Sequence, residues 1–273
     1  MNRDVNSDLL SFGLSDEVVL VFGAGSSGAG LSNGEAAALT YARAGARVAC
    51  VDKDPIEAER VAKAVEADGG TALAVTADVT IEDQVAAAVA LSAHELGRPR
   101  VLHHNVGMAV LGEVLDLDRE SWDRSLAVNV TGCYLTARHV LPHMLERGKG
   151  AIVTVSSLAG LRDTGYVYPA YNASKAALNQ LTISLALTYA GRGIRANAVV
   201  PGLIDTPLVS QQIVKDPDHV SEELAARHSA SPTGQMGSPW DVARAALFLA
   251  SDLATYVNGV LLPVDGGLAA RSV

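Results

Sequence analysis

The chain has 273 residues, of which 49% are hydrophobic and 19% are charged, and its formal net charge is −9. This much apolar material supports a sizeable core and excludes an intrinsically disordered chain. The acidic balance argues against nucleic acid or an anionic membrane surface as a partner, because both are bound mainly through basic patches.

The cellular compartment is predicted from the same sequence. Two cysteines, Cys50 and Cys133, cannot build a disulfide framework. The first residues contain no long apolar core of a secretory signal, and no long uncharged stretch is hydrophobic enough to span a membrane. These features predict a soluble, cytoplasmic protein.

Short, nearly continuous apolar runs alternate along the chain with longer stretches of helical pattern. The predicted strands are Val18–Phe22, Arg47–Asp52, Thr71–Val75, Val101–Asn105, Ala151–Val155, Ile194–Val200 and Val260–Val264. The predicted helices are Glu35–Ala44, Pro55–Ala67, Ile81–Leu96, Arg119–Arg147, Pro169–Ala190 and Pro239–Ser251. Strands that are apolar on both faces are typical of a parallel sheet covered by helices on both sides. The pattern therefore predicts one doubly wound α/β domain of the Rossmann type with a seven-stranded parallel sheet.

The domain boundaries follow from this alternation. Residues 1–14 precede the first predicted element and are interpreted as an N-terminal extension, so the domain is predicted to span residues 15–273. Residues 205–237 form the one long insertion between a strand and its expected helix, and we interpret them as a substrate loop.

A glycine-rich segment follows the first predicted strand, where a dinucleotide-binding loop would lie. Gly23, Gly25 and Gly28 match the Gly-x-Gly-x-x-Gly spacing, in which the backbone approaches a pyrophosphate at a helix N-terminus. Later glycines would be costly inside a helix, so the helix is predicted to begin near Gly34, after a long loop that closes at Asn33. The alternative is a glycine-rich turn that binds nothing.

The second predicted strand ends at Asp52, where an acidic side chain can accept hydrogen bonds from the ribose hydroxyls of adenosine. Its carboxylate would repel a 2′-phosphate. The sequence therefore favours NAD(H) over NADP(H), although the neighbouring Lys53 weakens this preference.

Tyr171 and Lys175 stand four residues apart in a predicted helix and therefore share one face of it. A phenol that acts as a base near neutral pH needs its pKa lowered by about 3 units, roughly 4 kcal/mol. The ammonium of Lys175 and a cationic nicotinamide ring are charges that can supply much of this. The alternative is an ordinary surface pair.

With these motifs the chain resembles the short-chain dehydrogenase/reductase family from about Asp16 to Gly267. The resemblance implies a catalytic tetrad of Asn129, Ser157, Tyr171 and Lys175. It also implies that the following residues contact the cofactor, together with Asp52: Gly23, Gly28, Ser32, Asn33, Gly34, Asp78, Val79, Asn105, Gly107, Tyr171, Lys175, Pro201, Gly202, Ile204 and Thr206.

The resemblance implies an NAD(H)-dependent oxidoreductase that interconverts a secondary alcohol and a ketone, with a small-molecule substrate and a homotetrameric assembly. In that mechanism Tyr171 exchanges the proton, Lys175 lowers the pKa of Tyr171 and binds ribose, Ser157 orients the substrate oxygen, and Asn129 holds a water. Two alternatives stay open. One is a same-fold enoyl reductase, dehydratase or epimerase, and the other is a non-enzymatic dinucleotide-binding protein.

A metal site is not expected. His139 and His143 are four residues apart on a predicted helix, which can be zinc spacing, but Pro142 lies between them and no third ligand is evident.

Overall fold

The computed structural model describes residues 12–26, 28–209 and 220–271, apart from the Val220 side chain. Seven strands form one parallel sheet in the order β3-β2-β1-β4-β5-β6-β7. Their bounds are Val18–Phe22 (β1), Arg47–Asp52 (β2), Thr71–Thr76 (β3), Pro99–His104 (β4), Gly150–Val155 (β5), Ile194–Pro201 (β6) and Leu261–Val264 (β7). The doubly wound seven-stranded prediction is confirmed.

Helices connect the strands and cover the sheet. They are Asn33–Arg43 (α1), Pro55–Ala67 (α2), Glu82–Glu95 (α3), Arg119–Leu126 (α4), Gly132–Arg147 (α5), Pro169–Tyr189 (α6), Val220–Ala230 (α7) and Pro239–Ala250 (α8). The two proline-initiated helices begin as their sequences indicate, because Asp54 caps α2 and Ser238 forms a capping box with Asp241 at α8.

The predicted helix Arg119–Arg147 is interrupted. A five-residue π-helix, Ala127–Thr131, separates α4 from α5. This change in hydrogen-bond pattern carries Asn129, one of the predicted tetrad residues. Single π turns inside α-helices are frequently found at functional sites.

Two apolar clusters lie on opposite faces of the sheet. One packs α1 and α8 against residues such as Val19 and Val48, and the other packs α3 and α5 against residues such as Leu20 and Leu102. The central strands β1, β4 and β5 are buried along their full length, whereas the edge strands β3 and β7 are partly exposed. The near-continuous apolar runs therefore reflect burial on both faces.

The predicted N-terminal extension and the predicted insertion are both only partly described by the structure. Leu14, which the prediction placed in an N-terminal extension, is fully buried in the first cluster, and residues 1–11 lie outside the described residues. The predicted insertion 205–237 contains α7, while its residues 210–219 are also outside the described part. Within the described ranges, no helix is long and apolar enough to cross a membrane.

Candidate active site

A cavity of about 850 Å³ opens at the carboxyl ends of the parallel strands, beside the point where the chain order reverses between β1 and β4. This is where ligands bind in open α/β sheets. Of the predicted site residues, the following line the cavity: Gly23, Ser32, Asn33, Asp52, Asp78, Val79, Asn105, Gly107, Ser157, Tyr171, Lys175, Pro201, Gly202, Ile204 and Thr206. Gly28, Gly34 and Asn129 do not line it.

The glycine-rich loop leads from β1 to α1 and is closed by a side chain. Ser32 caps α1 by accepting a hydrogen bond from the Glu35 amide at 3.0 Å, and its hydroxyl donates to the Gly25 carbonyl at 2.8 Å. The predicted long loop and late helix start are thus seen in the structure. Asn33, the first residue of α1, lines the cavity, and its buried Oδ1 has no partner among the described residues.

Gly34 faces the loop backbone instead of the cavity. A Cβ at this position would overlap the carbonyl oxygen of Gly23, to which Asn105 also donates a 2.8 Å hydrogen bond. Gly23 itself has a φ of +78°, a conformation that favours glycine. These glycines therefore let the first strand, the loop and the first helix approach one another closely.

Acidic side chains hold the loop from the side of β2 and α2. Asp52 accepts from the Gly25 amide at 2.9 Å, and Glu57 accepts from the Ser26 amide at 2.7 Å. Arg60 bridges Glu57 to the nearly buried Glu35, and these bonds hold the pKa of the Glu57 carboxyl below its usual value. These hydrogen bonds fix the conformation of the loop. Asp52 takes part in them and still lines the cavity.

The strand β5 and the helix α6 bring the proton-transfer candidates together. Ser157 follows β5, and its hydroxyl lies near enough to Tyr171 to lower the pKa of that phenol. Lys175, one turn after Tyr171, donates to the Val155 carbonyl at 3.0 Å, and its Nζ lies 5.6 Å from the centroid of the Tyr171 ring. A phenol, a hydroxyl and an ammonium thus converge on one wall of the cavity.

Burial dominates the titration of this group. Desolvation raises the pKa of Tyr171 to about 12, the Ser157 hydrogen bond lowers it, and Tyr168 raises it. Desolvation also lowers the pKa of Lys175 to about 8. The sequence-based expectation of a lowered Tyr171 pKa is therefore not met by the protein groups alone, because the cost of burying the phenolate exceeds the help from its neighbours.

Asn129 lies behind the cavity wall, fully buried in the π-helix. Its Oδ1 accepts from the Met108 amide at 2.9 Å, and its Nδ2 donates to the Met108 carbonyl and, at 2.8 Å, to the Ser174 hydroxyl. Its side chain thereby ties the loop after β4 to α6. Gly107 sits in the same junction, since a Cβ there would lie 3.0 Å from Nζ of Lys175.

Three tyrosines, Tyr166, Tyr168 and Tyr171, line one part of the cavity. Tyr168 contacts Tyr171 edge-on at 5.2 Å between ring centroids and stacks on Tyr166 at 5.7 Å. Arg227 of α7 donates to the Tyr166 hydroxyl at 2.7 Å. The spacing Tyr166, Tyr168, Tyr171 was the available sequence signal, whereas nothing local marks Arg227.

Among the described residues, no group of three or more His, Cys, Asp or Glu side chains is arranged to hold a metal ion. His139 faces Glu82 at 3.3 Å. His103 and His104 are buried in β4 beside Tyr41 and Thr136, and burial lowers the pKa of each to about 3. Both are thus neutral core residues and do not line the cavity.

Comparison with known proteins identifies relatives along nearly the whole chain. A family model described as enoyl-(acyl carrier protein) reductase matches residues 28–269. The chain is 41% identical over 258 residues to 2-(S)-hydroxypropyl-CoM dehydrogenase 3 of Xanthobacter autotrophicus, covering 94% of this chain and 98% of that protein. It is 43% identical over 245 residues to cis-4-hydroxycyclohexanecarboxylate dehydrogenase of Sinomonas cyclohexanicum, covering 89% and 94% respectively.

Solved structures agree with these relatives. The crystal structure of a short-chain type dehydrogenase/reductase from Mycobacterium marinum superimposes with a TM-score of 0.86 at 32% sequence identity. The match covers 96% of this chain and 99% of that one.

Proposed function

Because the chain belongs to the short-chain dehydrogenase/reductase family and is an oxidoreductase of the alcohol/ketone type, we propose that it works with NAD(H) and that Tyr171 is its general acid and base. The observation that carries this proposal is the convergence of Ser157, Tyr171 and Lys175 on the cavity that the glycine-rich loop also lines.

The residues present fit a nicotinamide dinucleotide. The volume of the cavity is within the usual range of ligand pockets, about 300–1,000 Å³. The close glycine packing at Gly23 and Gly34 brings the loop backbone to the phosphate end. Asn33 lines the cavity there, and its unpartnered Oδ1 is an acceptor suited to a hydroxyl group of the cofactor. Asp52, Asp78 and Val79 then hold the adenosine, with Asn105 and Gly107 alongside it.

At the other end of the cofactor, the cavity wall is formed by the segment after β6. Pro201, Gly202, Ile204 and Thr206 are suited to hold the nicotinamide, and the Ile204–Gly237 bridge fixes this segment against the start of α8. Gly28 and Gly34 remain in the proposed cofactor loop as residues that shape it. Bound NAD(H) supplies the hydride acceptor or donor.

The protein groups perform the proton transfer. With a pKa raised by burial, Tyr171 is protonated at neutral pH and is ready to donate to a ketone oxygen that Ser157 orients. In the reverse direction, the Tyr171 phenolate accepts the proton of the alcohol, stabilised by the Lys175 ammonium. Asn129 acts as a positioning residue, because its side chain is committed to Met108 and Ser174.

Replacement of Tyr171 tests the function. We expect Tyr171→Phe to lower the turnover of secondary alcohols or ketones by about 10²–10⁴-fold, the usual contribution of a positioned acid or base. Turnover is followed by NADH absorbance over a substrate panel, and NADH binding, followed by fluorescence titration, stays near wild type. Tyr134→Phe, an exposed tyrosine of α5, is the control.

Full residual activity of Tyr171→Phe would overturn the assignment of the acid and base. An α,β-unsaturated thioester in the same panel examines enoyl reduction, the activity in the family model's description. Turnover of the thioester without any alcohol or ketone turnover would replace the proposed function by that alternative.

Asp52 is the basis for NAD(H) over NADP(H), because its carboxylate repels a 2′-phosphate. Lys53 and Arg124 also line this end of the cavity and attract a phosphate once that charge is removed. We expect Asp52→Asn, which keeps the acceptor for the Gly25 amide, to raise the ratio of kcat/KM for NADPH to that for NADH at least tenfold. Asp68→Asn, at an exposed ion pair with Arg43, should leave the ratio unchanged. An unchanged ratio in Asp52→Asn would refute the assignment.

The remaining proposals concern the chain as a unit. We propose that residues 15–273 form the catalytic domain, that 205–237 act as its substrate loop and that four copies form a homotetramer. Cys50 and Cys133 are buried free thiols, which suits a reducing compartment such as the cytoplasm. The substrate is a small-molecule alcohol or ketone.

A further inference from the structure

Arg227 is a buried cation on the wall of the proposed substrate cavity. It projects from α7, its exposed fraction is only 5%, and it lines the same cavity as Tyr171. A guanidinium buried to this extent is costly unless it is paired with an anion. The charge therefore requires a partner.

The described residues supply only part of that partner. Nη1 of Arg227 donates to the neutral Tyr166 hydroxyl at 2.7 Å, and Tyr166 donates in turn to Glu223 at 2.7 Å. No described carboxylate lies within ion-pair distance of Arg227, and its buried Nε has no hydrogen-bond partner among them. Nε belongs to the side-on edge of the guanidinium, the edge that binds carboxylates in a bidentate manner.

Glu223 lies one turn before Arg227 on α7 and is linked to it through the Tyr166 hydroxyl. It lines an adjoining cavity together with Arg162 and Arg271, and it does not line the cavity that contains Tyr171. Arg227 lines both cavities. Of the two charged members of this chain of contacts, only Arg227 lines the cavity that contains Tyr171.

The cavity between Arg227 and the proton-transfer group suits an elongated substrate. Tyr166 and Tyr168 form a continuous row of rings from Arg227 to Tyr171, with Arg227 5.5 Å from the centroid of Tyr166. Leu203 and Leu268 add apolar surface to the same cavity. This wall is suited to contact an apolar carbon skeleton that carries polar groups at both ends.

We propose that Arg227 binds an acidic group of the substrate, so that the enzyme acts on hydroxy acids or oxo acids whose reacting carbon lies several bonds from the anion. The anion pairs with Nε and Nη2 of Arg227 while the hydroxyl or carbonyl lies at Tyr171 and Ser157. This inference rests on the proposed alcohol/ketone chemistry of the site and adds the substrate class to it.

The test compares acids with their neutral esters. The probes are 4-oxopentanoate, 5-oxohexanoate and 6-oxoheptanoate, each with its methyl ester, reduced with saturating NADH or NADPH. We expect at least one acid to exceed its ester in kcat/KM by tenfold or more, mainly through a lower KM. The chain length with the largest ratio then reports the span from Arg227 to the reacting carbon.

Variants test whether Arg227 causes the preference for the acid over its ester. Arg227→Gln should reduce the acid-to-ester ratio to near one by raising KM for the acid, and Arg227→Lys should restore part of it. Arg244→Gln removes the same charge from an exposed position on α8 and should preserve the ratio. If Arg227→Gln does not fold, the wild-type ratio and the Arg227→Lys ratio decide the question.

Two results would overturn the inference. One is a wild-type enzyme that reduces every ester as well as its acid, which leaves the proposed ketone chemistry intact. The other is an Arg227→Gln enzyme with an unchanged ratio. If no probe is reduced, the proposed function fails for this panel. The anion site is then tested by calorimetry, which compares the binding of hexanoate with that of methyl hexanoate in wild type and in Arg227→Gln. Equal binding of the two then refutes the anion site.

Discussion

Lys175 is a buried charge that costs the fold stability. It is almost completely buried, and its pKa of about 8 lies well below the ordinary value of 10.5. Keeping the ammonium charged at pH 7 therefore costs roughly 3 kcal/mol. The carbonyl of Val155 recovers part of this by accepting one hydrogen bond, and no described carboxylate forms an ion pair with the ammonium.

Lys175→Met should therefore raise the free energy of unfolding at pH 7, by about 1–3 kcal/mol after the loss of the bond to Val155. Between pH 8 and 10.5 the unfolded wild type still binds the proton that the folded protein has released. The wild type gains stability with rising pH in this window, so the advantage of the variant shrinks. Denaturant unfolding without cofactor at several pH values measures this difference.

The control for this prediction is Lys63→Met, which removes an exposed lysine paired with Glu59 and should change stability little at any pH. A stability gain in Lys175→Met that does not depend on pH would contradict the assignment of the cost to charge burial.

Secondary-structure elements show how far the sequence could predict the site. The strands were predicted to within two residues at each end because each is a nearly continuous apolar run, which in the central strands reflects burial on both faces. The start of α1 was predicted because glycines such as Gly30 disfavour an earlier helix, and Ser32 supplies the cap. Both predictions followed from the local amino-acid composition.

The π-helix at Ala127–Thr131 had no comparable signal, since its residues are compatible with an ordinary α-helix. Its hydrogen-bond pattern accompanies contacts of Asn129 with Met108 and Ser174, which are 21 and 45 residues away. The pair of Arg227 with Tyr166 is likewise 61 residues apart in sequence. Such features depend on tertiary packing, which cannot be deduced from the residue pattern of a single sequence.

At the scale of the whole molecule, apolar surface remains exposed on α6 and along β7, and we propose that copies of the chain meet there in the tetramer. Leu187 near the end of α6 is 75% exposed, and the edge strand β7 is only partly covered. We expect light scattering to give four times the mass of one chain and Leu187→Glu to lower it. Ile56→Glu, at an equally exposed position on α2, should keep the wild-type mass.

A monomeric wild type at micromolar concentration would refute the tetramer proposal. If the Leu187→Glu protein keeps the full mass, this end of α6 lies outside the interface.

The hydrogen bond from Ser32 to the Gly25 carbonyl has a consequence for how this protein can change over time. It closes the loop at its base, between the end of β1 and the start of α1. Each doubling of a flexible loop costs only about 0.6 kcal/mol of closure entropy. A change of length between Gly25 and Ser32 should therefore cost little in folding but impair the proposed binding of a dinucleotide, and the two residues that close the loop should resist replacement.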